Sequence, residues 1–311
     1  MTYGRLLILP AVSLLSLACA GGPDNPSFPL SVNRAGQALK EMAKEPKPLP
    51  RPVVIVGGYL DPGIAPVALK SRLQPVLKDE RILTVPLTFC ASFDDCRDEI
   101  LAAVEKAYPC DDPNWTAEVD VIGISMGGLA ARHAAAPVPR GKSTSGPHTK
   151  RLRIARLFTI STPHRGAYLA GLPTFHKLLL QMRHGSQFLS GLDAAIQAKA
   201  STKDATKDAT KDVMKDAPYP IYPYVRRHDG WIGESNAAPP GWTAAWWVPN
   251  QPFQDSHVGC CTDPRIVADV ARRLRGETPF TLDPPAPLPG DKVRHADRRQ
   301  TEQDEAKLTA G

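Results

Sequence analysis

The chain has 311 residues, 42% of them hydrophobic and 23% charged, with a formal net charge of +6. That apolar content supports a sizeable core and excludes a chain disordered throughout; the length fits one α/β domain as well as two smaller ones. The densest basic stretch, Arg140 to Arg156, has no interleaved aromatic residues, so no nucleic-acid partner is expected.

The N-terminus carries Arg5, an apolar run from Leu6 to Leu17, and then Ala18-Cys19-Ala20. Residues 1–20 have the form of a secretory signal peptide and are too short for a comfortable membrane span. Ala18-x-Ala20 fits ordinary cleavage, which gives a secreted or periplasmic protein. Cys19 also fits a bacterial lipoprotein site, which gives a protein anchored to the membrane through lipidated Cys19. Export permits disulfides. Cys90, Cys96, Cys110, Cys260 and Cys261 follow the leader, an odd set that leaves at least one thiol unpaired or paired with another chain. Cys90 and Cys96 are spaced to close a small loop, and Cys110 could reach Cys260 or Cys261. No C-x-x-C pair occurs, so no zinc site is expected.

Residues 21–50 read as a tether and edge segment with a helix over 34–44. Val53 to Val56 is a buried strand ending at Gly57-Gly58. Residues 67–77 have helical spacing, 82–85 are strand-like, and Asp94 opens a helix to Ala107 with acids in its first turns. A strand at 118–122, a helix at 129–136 stopped by Pro137, a basic loop and a strand at 154–160 follow. This alternation predicts an α/β fold, a mostly parallel central sheet with helices on both faces.

The pattern then breaks. Residues 169–196 read as an amphipathic helix running into the repeats Thr202-Lys203-Asp204-Ala205 and Thr206-Lys207-Asp208-Ala209, a mobile spacer within an insertion over about 167–220. A strand resumes at 221–225, where Pro223 argues against a central position. Residues 263–275 form a closing helix, and 281–311 read as a disordered tail. Trp242, Trp246 and Trp247 make an aromatic patch that reads either as an acyl-binding wall or membrane-contacting surface, or as core cover.

Gly123-Ile124-Ser125-Met126-Gly127-Gly128 fits G-x-S-x-G between a strand and a helix. That is the setting of a nucleophile elbow, a sharp turn that lifts one Ser above the sheet. A Ser hydroxyl needs a His to take its proton, and that His needs an acid to hold its tautomer. In the order Ser…Asp…His the acid follows a late strand and the His precedes the last helix. Asp229 and His257 meet those conditions; Asp255 and Glu234 are fallback acids. His164 could line the site, His133 reads as a packing residue, and His176, His184 and His228 are poorly placed. The expected oxyanion donors are the backbone N–H groups of Met126 and Tyr59.

Together with Thr162-Pro163-His164-Arg165-Gly166, these residues resemble lipase-like α/β-hydrolases, above all secreted bacterial triacylglycerol lipases and their esterase relatives. The resemblance covers about residues 50 to 275 and implies an α/β-hydrolase domain over 51–280 with a lid-like insertion. It implies hydrolysis of carboxylic esters, those of lipids foremost, with Ser125, Asp229 and His257 as triad and Tyr59 and Met126 at the oxyanion hole. The family's oxyanion loop often has His-Gly where this chain has Gly57-Gly58. No calcium-site pattern surrounds His257, so neither metal nor cofactor is expected. Acyl transfer and thioester or amide hydrolysis share this machinery, and a non-catalytic envelope-binding role is the alternative from another class.

Overall fold

The computed structural model describes residues 25–137, 150–200, 218–242 and 244–289, with side chains omitted at 197–200. The leader with Cys19, most of the basic loop, the Thr-Lys-Asp repeats and the end of the tail lie outside the described residues.

Six parallel strands form one sheet: β1 (Val53–Val56), β2 (Ile82–Val85), β3 (Val119–Ile124), β4 (Ile154–Ile160), β5 (Ile221–Arg226) and β6 (Trp246–Val248). Their spatial order is β2-β1-β3-β4-β5-β6, so the chain lays strands outward in both directions from β1 and β3. Every residue of β1 and β3 is buried, because helices cover both faces. Val54, Val56, Val119 and Val121 face a core built with α3 (Phe93–Ala107) and α4 (Met126–Ala135). Val53, Ile55, Ile122 and Ile124 face the other core, built with α1 (Val32–Lys44), α2 (Ile64–Leu73) and, at the far end of the chain, α8 (Pro264–Leu274).

Local chemistry sets the helix starts. Ser92 and Asp95 close a reciprocal capping box that begins α3 at Phe93, one residue before the expected start. Asp263 caps α8, with Pro264 in its first turn. The sequence 169–196 is not one helix. It forms a short turn at Leu169–Gly171, then α5 (Lys177–Gln181) and α6 (Gln187–Ala200). Pro173 and Gly185, the latter at φ 70°, lie in the two breaks.

Pro223 and the two ends of the chain differ from their sequence readings, and of the two readings of the Trp patch the structure has core cover for Trp246 and Trp247. Pro223 lies in β5, an interior strand, yet pairing with β6 starts only at Tyr224, so the missing N–H falls before that ladder begins. Trp246 and Trp247 are 1% exposed and form the core strand β6, so they cannot wall a cavity or touch a membrane. The tail up to residue 289 packs on that strand: Trp246 Nε1 donates to the Leu282 carbonyl and Trp247 Nε1 to that of Ala286. At the other end Asn25 Nδ2 donates to the Trp247 carbonyl at 2.7 Å, so the segment from residue 25 belongs to the body. α7 (Ser256–Cys260) completes the α-helices among the described residues.

Candidate active site

In a parallel sheet the loops leaving the strand C-termini share one edge, and ligands bind along it. Here that edge gathers the loop after β1, the turn after β3, Ser161 after β4, Asp229 after β5, and α7 between β6 and α8.

The turn after β3 carries Ser125. Ser125 has φ 52° and ψ −124°, a conformation that L-residues rarely adopt. Three bonds hold it: Ser125 N–H donates to Ile160 O (2.8 Å), Gly128 N–H to Ser125 O (3.2 Å), and Thr162 Oγ1 to the same carbonyl (2.9 Å). A Cβ on Gly123 would overlap Gly128, and one on Gly127 would overlap the Val56 and Gly57 carbonyls. The spacing G-x-S-x-G therefore records close approach of strand, helix and the β1 loop.

His257 lies in α7, whose N-terminus is capped by Asp255 accepting from the Val258 N–H at 2.8 Å. Its Nε2 is 2.9 Å from Ser125 Oγ, and its Nδ1 is 2.8 Å from Asp229 Oδ2. The other oxygen of the buried Asp229 accepts the N–H groups of Trp231 (3.1 Å) and Ile232 (3.2 Å). Because the carboxylate takes the Nδ1–H, Nε2 is left as acceptor for the Ser125 hydroxyl. The structure thus brings together Ser125, His257 and Asp229, three residues spread over more than a hundred positions of sequence.

The fallback residues have other work. Glu234 accepts the His228 N–H at 2.7 Å, and Asp255 is the α7 cap. His164 is wholly buried beneath the elbow: Arg132 Nη1 faces its Nδ1 at 3.1 Å and Nε2 meets Thr159 Oγ1 at 3.1 Å. Burial, and then the Arg132 and Arg165 charges, hold His164 well below the usual histidine range, so it stays neutral. His133 pairs with Asp94 on the far side of α4.

Met126 follows Ser125 directly as the first residue of α4, and Tyr59 follows Gly58 in the β1 loop. The Gly58 position lies against Ser125, with an ideal Cβ there 3.3 Å from Ser125 Cβ, so the β1 loop runs beside the nucleophile. Among the described residues no protein group accepts the N–H of either Tyr59 or Met126.

A mostly apolar cavity of ≈ 220 Å³ opens above Ser125 and His257. Ala167, Leu169, Leu179 and Met182 of the insertion line it, together with Tyr59 and Ile232. Cys261 also lines it, but burial pushes its thiol up to about 11, so it is no competing nucleophile at neutral pH. All five described cysteines are free; Cys90 and Cys96 hydrogen-bond to each other. Among the described residues no group of three or more His, Cys, Asp or Glu converges as a metal site.

No family model matches the chain, and no curated protein matches it. Among solved structures it is similar to the Bacillus licheniformis lipase BlEst2 in mature form, at 15% identity over 77% of this chain and 95% of that one, TM-score 0.46. Aspergillus fumigatus lipase B matches at 15% identity over 89% and 66% of the two chains, TM-score 0.45. The naproxen esterase (carboxylesterase NP) from Bacillus subtilis matches at 15% over 78% and 98%, TM-score 0.41. At these identities and TM-scores the fold is read from strand order and connections, and the chemistry from the site itself. The sheet and the elbow lie as an α/β-hydrolase fold requires.

Two features escaped the sequence. Trp231 stacks on the His257 ring, with centroids 5.0 Å apart and planes at 7°. Beneath α7, the buried Arg226 reaches Asp263 Oδ2 at 2.7 Å, and Arg265 meets the same oxygen at 2.7 Å. Burial alone would raise the Asp263 carboxyl; the Arg265 and Arg226 guanidiniums outweigh it and hold it below the usual range. A carboxyl depressed on folding stabilises above its unfolded value near about 3.9, and that contribution is lost as pH falls through the folded value. Asp263→Asn therefore costs about 3–5 kcal/mol at pH 7. In urea unfolding the gap between wild type and variant narrows on acidification below about pH 4; a gap constant with pH would refute the ion-pair account.

Proposed function

We propose that this chain is an exported serine hydrolase that cleaves carboxylic esters, those of lipids foremost, through an acyl-enzyme intermediate. One observation carries the reading: Ser125 Oγ, His257 and Asp229 form a continuous hydrogen-bonded line, at 2.9 and 2.8 Å, at the floor of an apolar cavity. His257 takes the Ser125 proton as the oxygen attacks the ester carbonyl, Asp229 orients the imidazole, and the Met126 and Tyr59 N–H groups bind the oxyanion. The protonated His257 returns its proton to the leaving alcohol, and water then releases the acid by the same route.

The cavity and its mouth favour an aliphatic acyl group. A mostly apolar cavity of ≈ 220 Å³ suits an acyl chain of short to medium length. Ile64, Val258 and Trp231 are exposed on the lining, and Leu60, Leu172 and Phe175 are exposed in the same loops, an apolar rim suited to a lipid surface.

The test is hydrolysis of p-nitrophenyl esters from acetate to palmitate, with a fluorophosphonate probe alongside. Labelling at Ser125 and a kcat/KM maximum near butyrate to octanoate are expected. Labelling without ester hydrolysis would move the reading to acyl transfer or to thioester or amide cleavage; no labelling would leave a binding protein. For export, cell fractionation of wild type and Cys19→Ser separates a released protein from one anchored through lipidated Cys19.

A further inference from the structure

We infer that Trp231 is a positioning residue for the base, and that its indole face favours the imidazolium formed when His257 takes the Ser125 proton. The inference rests on the triad reading above.

The two in-plane bonds of His257 leave one motion open. Contacts at Nδ1 (2.8 Å) and Nε2 (2.9 Å) fix the ring along the line joining its nitrogens, but rolling about that line changes neither distance. The Trp231 indole lies almost parallel on one face, at 7° and 5.0 Å, and blocks the roll. Burial does not account for its position, because Trp231 is 44% exposed. Its backbone is anchored on both sides of the Cα: the N–H donates to Asp229 Oδ1, and the carbonyl accepts the Leu169 N–H at 2.9 Å. One residue thus orients the acid with its amide, covers the base with its ring, and ties both to the first turn of the insertion.

The electrostatics point the same way. An aromatic face attracts a cation within about 6 Å of its centroid. His257 gains its positive charge only as Ser125 gives up its proton, so the attraction grows toward the transition state and acts on kcat rather than KM. A side chain of similar apolar bulk without a π face fills the space but supplies no such attraction.

The experiment compares Trp231→Leu and Trp231→Phe with wild type in the full chain, using p-nitrophenyl butyrate and the rate of fluorophosphonate labelling, with thermal melts as the folding control. Trp231→Leu is expected to lower kcat and the labelling rate by about tenfold, with KM within about twofold, and Trp231→Phe to recover most of the loss. Should the Leu variant not fold, Trp231→Gln carries the same expectation. Equal rates in Leu and wild type, equal losses in Leu and Phe, or a loss confined to KM would overturn the role. A wild-type protein that resists labelling would overturn the triad reading itself; normal wild-type labelling with an inert Trp231→Leu would overturn only this inference.

Discussion

Ser125→Ala abolishes ester hydrolysis, with kcat falling by on the order of 10⁶-fold, while the melting temperature stays where it was. Ala keeps the Cβ, so it inherits the backbone at φ 52°, ψ −124° that Ser125 occupies. Ser125→Gly gives a different result: equally inactive, but more stable. A residue held in such a conformation stores about 1–3 kcal/mol, and Gly sheds it at a cost of roughly 0.5–1 kcal/mol in unfolded-chain entropy. A net gain of about 1 kcal/mol, or roughly 2–4 °C for a domain of this size, follows. The turn does not relax when the side chain goes, because Ile160, Gly128 and Thr162 hold its backbone. Residual hydrolysis in Ser125→Ala near the wild-type rate would remove Ser125 from the mechanism. A Gly variant no more stable than Ala would show that the elbow stores no strain.

What the sequence made legible was the part whose physics is local. β1, β2 and β4 are apolar runs closed off by Gly, Pro or charge, and they lie where the pattern puts them. The elbow was legible because close backbone approaches at Gly123 and Gly127 forbid side chains at fixed spacing, which leaves a written trace. Ser125, Asp229 and His257 could be ranked because chain order constrains where acid and base fall. Trp246 and Trp247 were harder. A three-residue strand between Pro-rich loops is too short for periodicity to decide, and its partners, Tyr224 against Trp246 and the tail carbonyls that take both indole N–H groups, come from distant positions. The tail reads as disordered because it has few apolar residues, yet two indole N–H groups need buried acceptors and take its carbonyls. Trp231 was invisible for the same reason: nothing beside Asp229-Gly230 says that the next ring will lie over a histidine in a helix formed later in the chain.

Asp229→Asn lowers kcat by about 10⁴-fold with little loss of stability. The asymmetry of the site dictates how the amide sits. Asp229 Oδ1 receives two N–H donors, from Trp231 and Ile232, so the Asn carbonyl oxygen must stay there. The amide NH₂ then faces His257 Nδ1, where the carboxylate had accepted a proton at 2.8 Å. Nδ1 becomes the acceptor and the ring proton moves to Nε2, which can no longer take the proton of Ser125 Oγ. Every backbone donor keeps its partner, so urea unfolding changes by less than about 1 kcal/mol. Asp229→Ala differs in kind: it removes the acceptor of the Trp231 and Ile232 N–H groups, the second of them buried, and costs roughly 1–3 kcal/mol in addition to activity. Comparing the two variants by kcat and by urea unfolding separates tautomer control from loop support. An Asn variant within tenfold of wild type would take the acid role from Asp229, and neither sequence fallback is free to assume it, since Glu234 holds the His228 N–H and Asp255 caps the helix that carries His257.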